Sequence, residues 1–218
     1  MFTVILAKWV GDAFNISVYD IHMALKCMPF VEATPPRGLD GLTAGNFMMA
    51  PVRTVYDIEE MGHVADLLSS CHHNAFPVVS HEAPHPFLGM VRRNEVVAMI
   101  RHRHWKGSRA EALLHPYTPA TLMSPADFAT SLQSRSMDLD DSRSLAALAE
   151  APRGAVLDFR PYMDRGTITV TRECPVSRCS EIFRSFGTRH LPVLNYHHVV
   201  EGIITRKELM SEFQENLC

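Results

Sequence analysis

The sequence predicts an α/β fold made of two copies of one small unit, and three observations carry that prediction. Phe76-Pro77-Val78-Val79 recurs as Leu191-Pro192-Val193-Leu194. Each of these strands is followed by a glycine-led strand, GMVRRNEV from Gly89 and GIITRKEL from Gly202. Each is preceded by a stretch of helical periodicity, so the whole pattern repeats once along the chain.

The elements follow in order. In the first copy, Ile58, Met61, Val64 and Leu68 share one helical face. In the second, Val176, Cys179, Ile182, Phe183 and Phe186 do, and Pro175 suits the first helical turn. Each copy reads strand, helix, strand, strand, helix, from Met48 to His104 and from Asp158 to Leu217. A unit this small leaves its sheet half covered, so packing the two copies together completes the core. Between them, prolines, serines and the acidic MDLDD of Met137–Asp141 read as linker, with one short helix near Leu145–Glu150. HPYTPATL (His115–Leu122) lacks a full P-x-x-P pair and is taken as part of that linker.

Composition narrows the function classes. Hydrophobic residues at 46% and charged residues at 21% argue for a folded chain. A net charge of −3 gives no basic field for nucleic acid, so any anion site must be local. The five cysteines (Cys27, Cys71, Cys174, Cys179, Cys218) are odd in number and contain no C-x-x-C, which points to reduced thiols. The twelve histidines include HHN, HRHW and YHH runs, none at zinc spacing, and read as polar turns. No G-x-S-x-G, Walker loop, paired-carboxylate motif or metal cluster appears, so catalysis is not expected.

The first residues, MFTVILAKWV, are apolar but broken by Lys8. They match neither a secretory signal nor the roughly 20 apolar residues of a membrane span, and read as the end of something larger upstream. Ser17-Val18-Tyr19-Asp20 then has the capping-box pattern and sets Tyr19 in the first turn of a helix, where the dipole favours an anion.

Thr205-Arg206-Lys207-Glu208 is a second capping box. Thr205 is expected to accept the N3 amide while Glu208 reaches back to the Thr205 amide, for about 1 kcal/mol. The same geometry can serve a ligand, with Arg206 and Lys207 beside a phosphate and an acidic group on ribose hydroxyls. The partner stretch is Ser70–Val79. There His73 can stack on a purine, small Ala75 lets backbone approach, and Phe76 closes an apolar wall. Both stretches also read in full as a cap and a polar turn.

With these features in hand the chain resembles a tandem pair of CBS domains, a Bateman module. More narrowly, it is similar to the carboxy-terminal part of a eukaryotic CLC voltage-gated chloride channel or chloride/proton exchanger, closest to the lysosomal and plant-vacuolar branch. Ala7–Ala33 resembles the family's last membrane helices and exit segment; Leu157–Val170 and Phe186–Leu209 resemble the second CBS domain. The resemblance covers nearly the whole chain apart from Lys106–Arg153 and implies five parts. Residues 1–28 end a transmembrane domain, 29–47 connect, 48–104 are the first CBS domain, 105–157 a linker and 158–218 the second CBS domain.

At matching positions the resemblance implies roles. Tyr19 looks like the tyrosine that coordinates the central chloride. His73-Asn74-Ala75 before Phe76, the strand near Val52, and the corner Thr205-Arg206-Lys207-Glu208 look like the adenine-nucleotide site, for ATP, ADP or AMP. Three positions depart from the family pattern. Glu208 stands where aspartate is usual, Ala75 stands for glycine, and His73 stands for a tyrosine seen in some members. The resemblance further implies a homodimer, a membrane-domain partner in the parent protein, and an intracellular organelle membrane with this region facing the cytosol. Three readings remain open: a regulatory module of a chloride transporter, a stand-alone CBS-pair regulator, and a CBS dimerisation module that binds no nucleotide.

Removal of Met1–Cys27 is expected to raise solubility, because Phe2, Val4, Ile5, Leu6 and Trp9 form an apolar stub without its membrane neighbours. Sedimentation of the two forms at equal concentration tests this, and more aggregation after truncation would place the stub in the soluble core.

Overall fold

Two mixed three-stranded sheets of identical order make the frame. The computed structural model describes residues 2–3, 8–11, 21, 25, 41–115, 122–124, 146–147, 150–152 and 154–209. In chain order its elements begin with α1 (Ala44–Phe47), β1 (Val55–Tyr56), β2 (Ile58–Glu60), α2 (Met61–Ser70), β3 (Ala75–Val79), β4 (Phe87–Arg92) and α3 (Arg93–Arg101). They continue with α4 (Arg109–Leu114), β5 (Val156–Asp158), β6 (Val170–Thr171), α5 (Val176–Phe186), β7 (His190–Leu194) and β8 (Val200–Thr205). A helical turn then runs from Arg206 to Leu209. The sheets are β1-β3-β4 and β6-β7-β8, each with one parallel and one antiparallel pair. The expected pair of α/β units is therefore the observed fold.

Each sheet puts a proline in its central strand, which ordinarily breaks a ladder. The register removes the conflict. Pro77 lies opposite Met90, and Pro192 opposite Ile203. Met90 exchanges both backbone bonds with Asp164, and Ile203 with Met49, on the outer side of the strand. Both proline pairs are thus non-hydrogen-bonded pairs, and the missing N–H would point toward the short strand β1 or β6. That strand is only two residues long and meets Val78–Val79 or Val193–Leu194 instead.

Those outward bonds come from the other copy. Leu42–Met49, at the head of the first copy, lies on the second: Ala44 N–H donates to the Cys174 carbonyl at 2.7 Å, and Ala44 and Phe47 join the core of Val176, Phe183, Leu191 and Ile204. Val156–Asp164, at the head of the second copy, lies on the first. β5 pairs antiparallel with β2, and Leu157, Phe159 and Met163 join the core of Val64, Leu68, Phe76 and Ile100. Each copy closes its core with its partner's leading segment.

The repeated glycines mark where these segments cross. A Cβ on Gly89 would stand 2.6 Å from the Asp164 carbonyl oxygen. One on Gly202 would stand 2.6 Å from Met48 Sδ. Neither position has room for a side chain.

Some local expectations shift. Ile58 lies in β2 rather than in the helix that follows it, and Phe186, at the last helical residue, is exposed while Val176, Cys179, Ile182 and Phe183 are buried. In the stretch read as linker, Lys106 is buried and bridges Val156, and Ala112 and Ala147 are buried too. Helix α4 there is capped by Ser108, whose Oγ accepts from Glu111 N–H at 3.2 Å. Serine followed three residues later by glutamate was its signal. Of the predicted short helix, Ala146, Ala147 and Glu150 are helical. Near the N-terminus Phe2, Trp9 and Leu25 are exposed, and among the described residues no helix is long and apolar enough to cross a membrane.

Gly89→Ala is expected to destabilise by about 1–3 kcal/mol, since the new methyl meets backbone rather than a movable side chain. Gly62→Ala, inside α2 with open space at its Cβ, is expected to stabilise by about 0.5–1 kcal/mol. Urea unfolding of both variants checks the contrast.

Candidate functional site

The candidate site is built from matching strand ends in the two copies. Ala75 opens β3 opposite Arg92, which closes β4; His190 opens β7 opposite Thr205, which closes β8. After each closing residue a helix begins, and the glutamate three residues on folds back. Arg92 N–H donates to Glu95 Oε2 at 2.8 Å, and Thr205 N–H to Glu208 Oε2 at 2.7 Å. The Thr205 hydroxyl donates to that same carboxylate oxygen. Thr205 and Glu208 meet as expected, except that the hydroxyl serves the carboxylate where it was expected to accept the N3 amide.

The next residue in each corner is an arginine turned inward. Arg93 donates to the carbonyls of Cys71 at 2.7 Å and Leu68 at 2.5 Å, at the end of α2. Arg206 donates to the Phe183 carbonyl at 3.0 Å, near the end of α5. Both cations sit at a helix C-terminus, whose dipole and unpaired carbonyls favour them. One device is built twice, and it ties the last helix of each copy to the helix before β3 or β7.

The ligand residues expected in the first copy surround its corner. His73 and Asn74 are exposed, Ala75 and Phe76 are buried at the start of β3, and the Asn74 carbonyl accepts Arg93 N–H at 2.9 Å. Val52 is half-buried, Lys207 exposed, and Thr205, Arg206 and Glu208 half-buried. Tyr19 lies outside the described residues.

His190 feels charges from both corners. Burial pushes its imidazole below the ordinary histidine range, and Arg189 adds to this. Glu208 opposes the shift, while Arg92 and His73 of the first copy lower it further. Charges from both copies therefore act on one ring. His190 and Arg92 were missed in the sequence. Aligning the repeat would have found them, because Arg189-His190 takes the place of Asn74-Ala75 and Arg92 that of Thr205. Two buried polar atoms in this region, Arg206 Nε and Thr188 Oγ1, have no hydrogen-bond partner. A polar ligand or water would satisfy them.

Two cavities lie away from these corners. One of about 610 Å³ is lined by Ile168, Thr171, Cys174, Arg178, Ile182 and Phe186. Another of about 380 Å³ is lined by Glu60, Gly62, Ala65, Ala151 and Gly154. Among the described residues no three His, Cys, Asp or Glu side chains group as a metal site.

Comparison with known proteins places this geometry. The CBS domain profile matches residues 157–215. Chloride channel protein A of Dictyostelium discoideum is 29% identical over 95% of this chain and 29% of its own length. Chloride channel protein CLC-b of Arabidopsis thaliana is 30% identical over 96% of the chain and 28% of its length. H(+)/Cl(−) exchange transporter 7 of Homo sapiens is 28% identical over 96% of the chain and 25% of its length. The chain thus spans between a quarter and a third of these relatives. Among solved structures, the CBS domain of a CBS domain-containing membrane protein from Sphaerobacter thermophilus superposes with a TM-score of 0.50 at 19% identity, covering 80% of this chain and 90% of that one. A CBS domain-containing protein from Bacillus anthracis gives 0.50 at 12% identity, covering 80% and 94%. At these identities the structures establish the fold alone.

Two half-buried histidines set a pH dependence. His104, whose Nε2 meets the Tyr162 hydroxyl at 2.6 Å, is pushed down chiefly by burial, as His190 is. Both rings bind protons more readily in the unfolded chain. Their stabilising contribution is present above the ordinary histidine pKa and is lost as pH falls through the lower folded values. The urea midpoint is expected to fall between about pH 7.5 and about pH 5.5, and His190→Gln to lessen that fall. Glu95, raised chiefly by burial, works in the opposite sense at lower pH, so the difference between parent and variant isolates the histidine.

Proposed function

We propose that this chain, a homologue of chloride channels and H+/Cl− exchange transporters along nearly its whole length, serves as the regulatory region of such a transporter. The observation that carries the reading is the match itself, which runs through both copies and the stretch before them. On this reading residues 1–28 end the membrane domain, 29–47 connect it, and the CBS domains 48–104 and 158–218 are joined by 105–157. Tyr19 would hold chloride for the parent protein. The region would face the cytosol at an organelle membrane, dimerise through its CBS domains and the parent membrane domain, and transmit rather than catalyse.

The regulator we infer is an adenine nucleotide in the cleft between the two corners. On this reading exposed His73 would stack on the base, Asn74 would read its edge and half-buried Val52 would back it. Phe76, expected as an apolar wall, is buried in the core of the first copy instead. Lys207, exposed at the start of the last helix, suits a phosphate, and Glu208 suits ribose hydroxyls. Support comes from the shared electrostatics of His73, Arg92, His190 and Glu208. The residues fit the ligand with one condition. Glu208 already bonds the Thr205 amide and hydroxyl, so ribose must compete with a helix cap. That condition favours a second reading, in which the corner is purely a cap and the module an assembly and gating element.

Isothermal titration of ATP, ADP and AMP into the full chain, with Glu208→Ala beside it, separates the two. Saturable binding lost in the variant is the expected result. No heat at millimolar nucleotide from a folded protein would leave the corner as a cap.

A further inference from the structure

We propose that Cys174 and Cys179 form a reversible disulfide, a modification site at the turn on which the upstream segment docks. Their sulfurs lie 3.9 Å apart, with the Cys179 thiol donating to Cys174 Sγ. A disulfide needs about 2 Å, so closure asks for the sulfurs to approach by roughly 2 Å. The two thiols differ in access. Cys174 is half-exposed and lines the larger cavity, which gives a small oxidant access. Cys179 is fully buried in the first turns of α5, where burial and the neighbouring sulfur push its thiol up to about 12. Cys174 is therefore the thiol that meets an oxidant, and Cys179 the one that resolves it. Cys71 is a contrast within the same chain: it is buried and its thiol donates to the Leu67 carbonyl.

The oxidant we name is a hydroperoxide. Cys174 thiolate attacks the distal peroxide oxygen, the O–O bond breaks, and the alkoxide leaves and takes up a proton as the alcohol. Cys174 becomes a sulfenic acid. Cys179 sulfur then attacks Cys174 sulfur, the S–O bond breaks, and the hydroxide leaves with the Cys179 proton as water. Two electrons pass from the two thiols to the peroxide, and a dithiol reductant reverses the change. The place gives the bond its consequence. The Cys174 carbonyl accepts Ala44 N–H at 2.7 Å, and Val176 N–H donates to the Leu42 carbonyl at 3.1 Å, so the bridge would span the turn that holds the leading segment of the first copy.

The test is peptide mapping of the full chain after hydroperoxide treatment and alkylation of remaining thiols. Trypsin cuts after Arg172, Arg178 and Arg184, so the disulfide joins two peptides, Glu173–Arg178 and Cys179–Arg184. The expected product is this linked pair, about 2 Da lighter than the sum of its thiol forms and lost on treatment with dithiothreitol. C174S should abolish it, and C179S should leave Cys174 open to a sulfenic-acid trap such as dimedone. Two results would overturn the proposal. One is Cys174 passing to sulfinic acid in the parent chain without the linked pair. The other is both thiols remaining alkylatable while an exposed thiol added to the same reaction is fully oxidised.

Discussion

The rest of the structure depends on one constraint: each copy's outer strand is closed by backbone from the other copy. Asp164 crosses at Gly89 and Met90, and Met48–Met49 cross at Gly202 and Ile203. The crossings satisfy the outward N–H and C=O of Met90 in β4 and of Ile203 in β8, on strands that are otherwise edges. They also bring Ala44 and Phe47 into one core and Leu157, Phe159 and Met163 into the other. Neither copy then has a complete core alone.

The corners follow from that arrangement. The charges of His73 and Arg92 in the first copy act on the same imidazole as that of Glu208 does. Behind them Arg93 and Arg206 neutralise the ends of α2 and α5 and fix the angle of the helices that begin at the corner. A ligand taking Glu208 from its cap would loosen the start of the last helix, about 1 kcal/mol of local stability. On the nucleotide reading, that competition would couple ligand binding to the start of the final helical turn.

The turn from Arg172 to Val176 occupies the other end of this mechanical path. It carries α1 through three backbone bonds, from Ala44 to Cys174, Gly45 to Arg172 and Val176 to Leu42, and it carries the paired thiols. The Thr205–Glu208 corner lies at the end of the second copy, whereas this turn lies where the chain enters it. Both ends pack into one core, with Val176 and Cys179 from the turn side and Ile204 and Leu209 from the corner side.

The sequence by itself determined what depends on neighbours along the chain. The repeat, the helical faces of α2 and α5, the FPVV and LPVL strands and the self-capping of Glu208 on Thr205 were all legible, because their signals lie within a few residues. Ser108 and Glu111 carried the same kind of signal and were passed over inside a stretch whose prolines spoke for linker. Only the tertiary structure decided which copy each leading segment completes, since Ala44 and Phe47 carry no mark of the core they enter. It alone turned Arg206 inward, set His190 beside residues of the first copy, and brought Cys174 within reach of Cys179. Those contacts join residues distant in sequence, or hinge on a side-chain direction at a turn, and no local period encodes either.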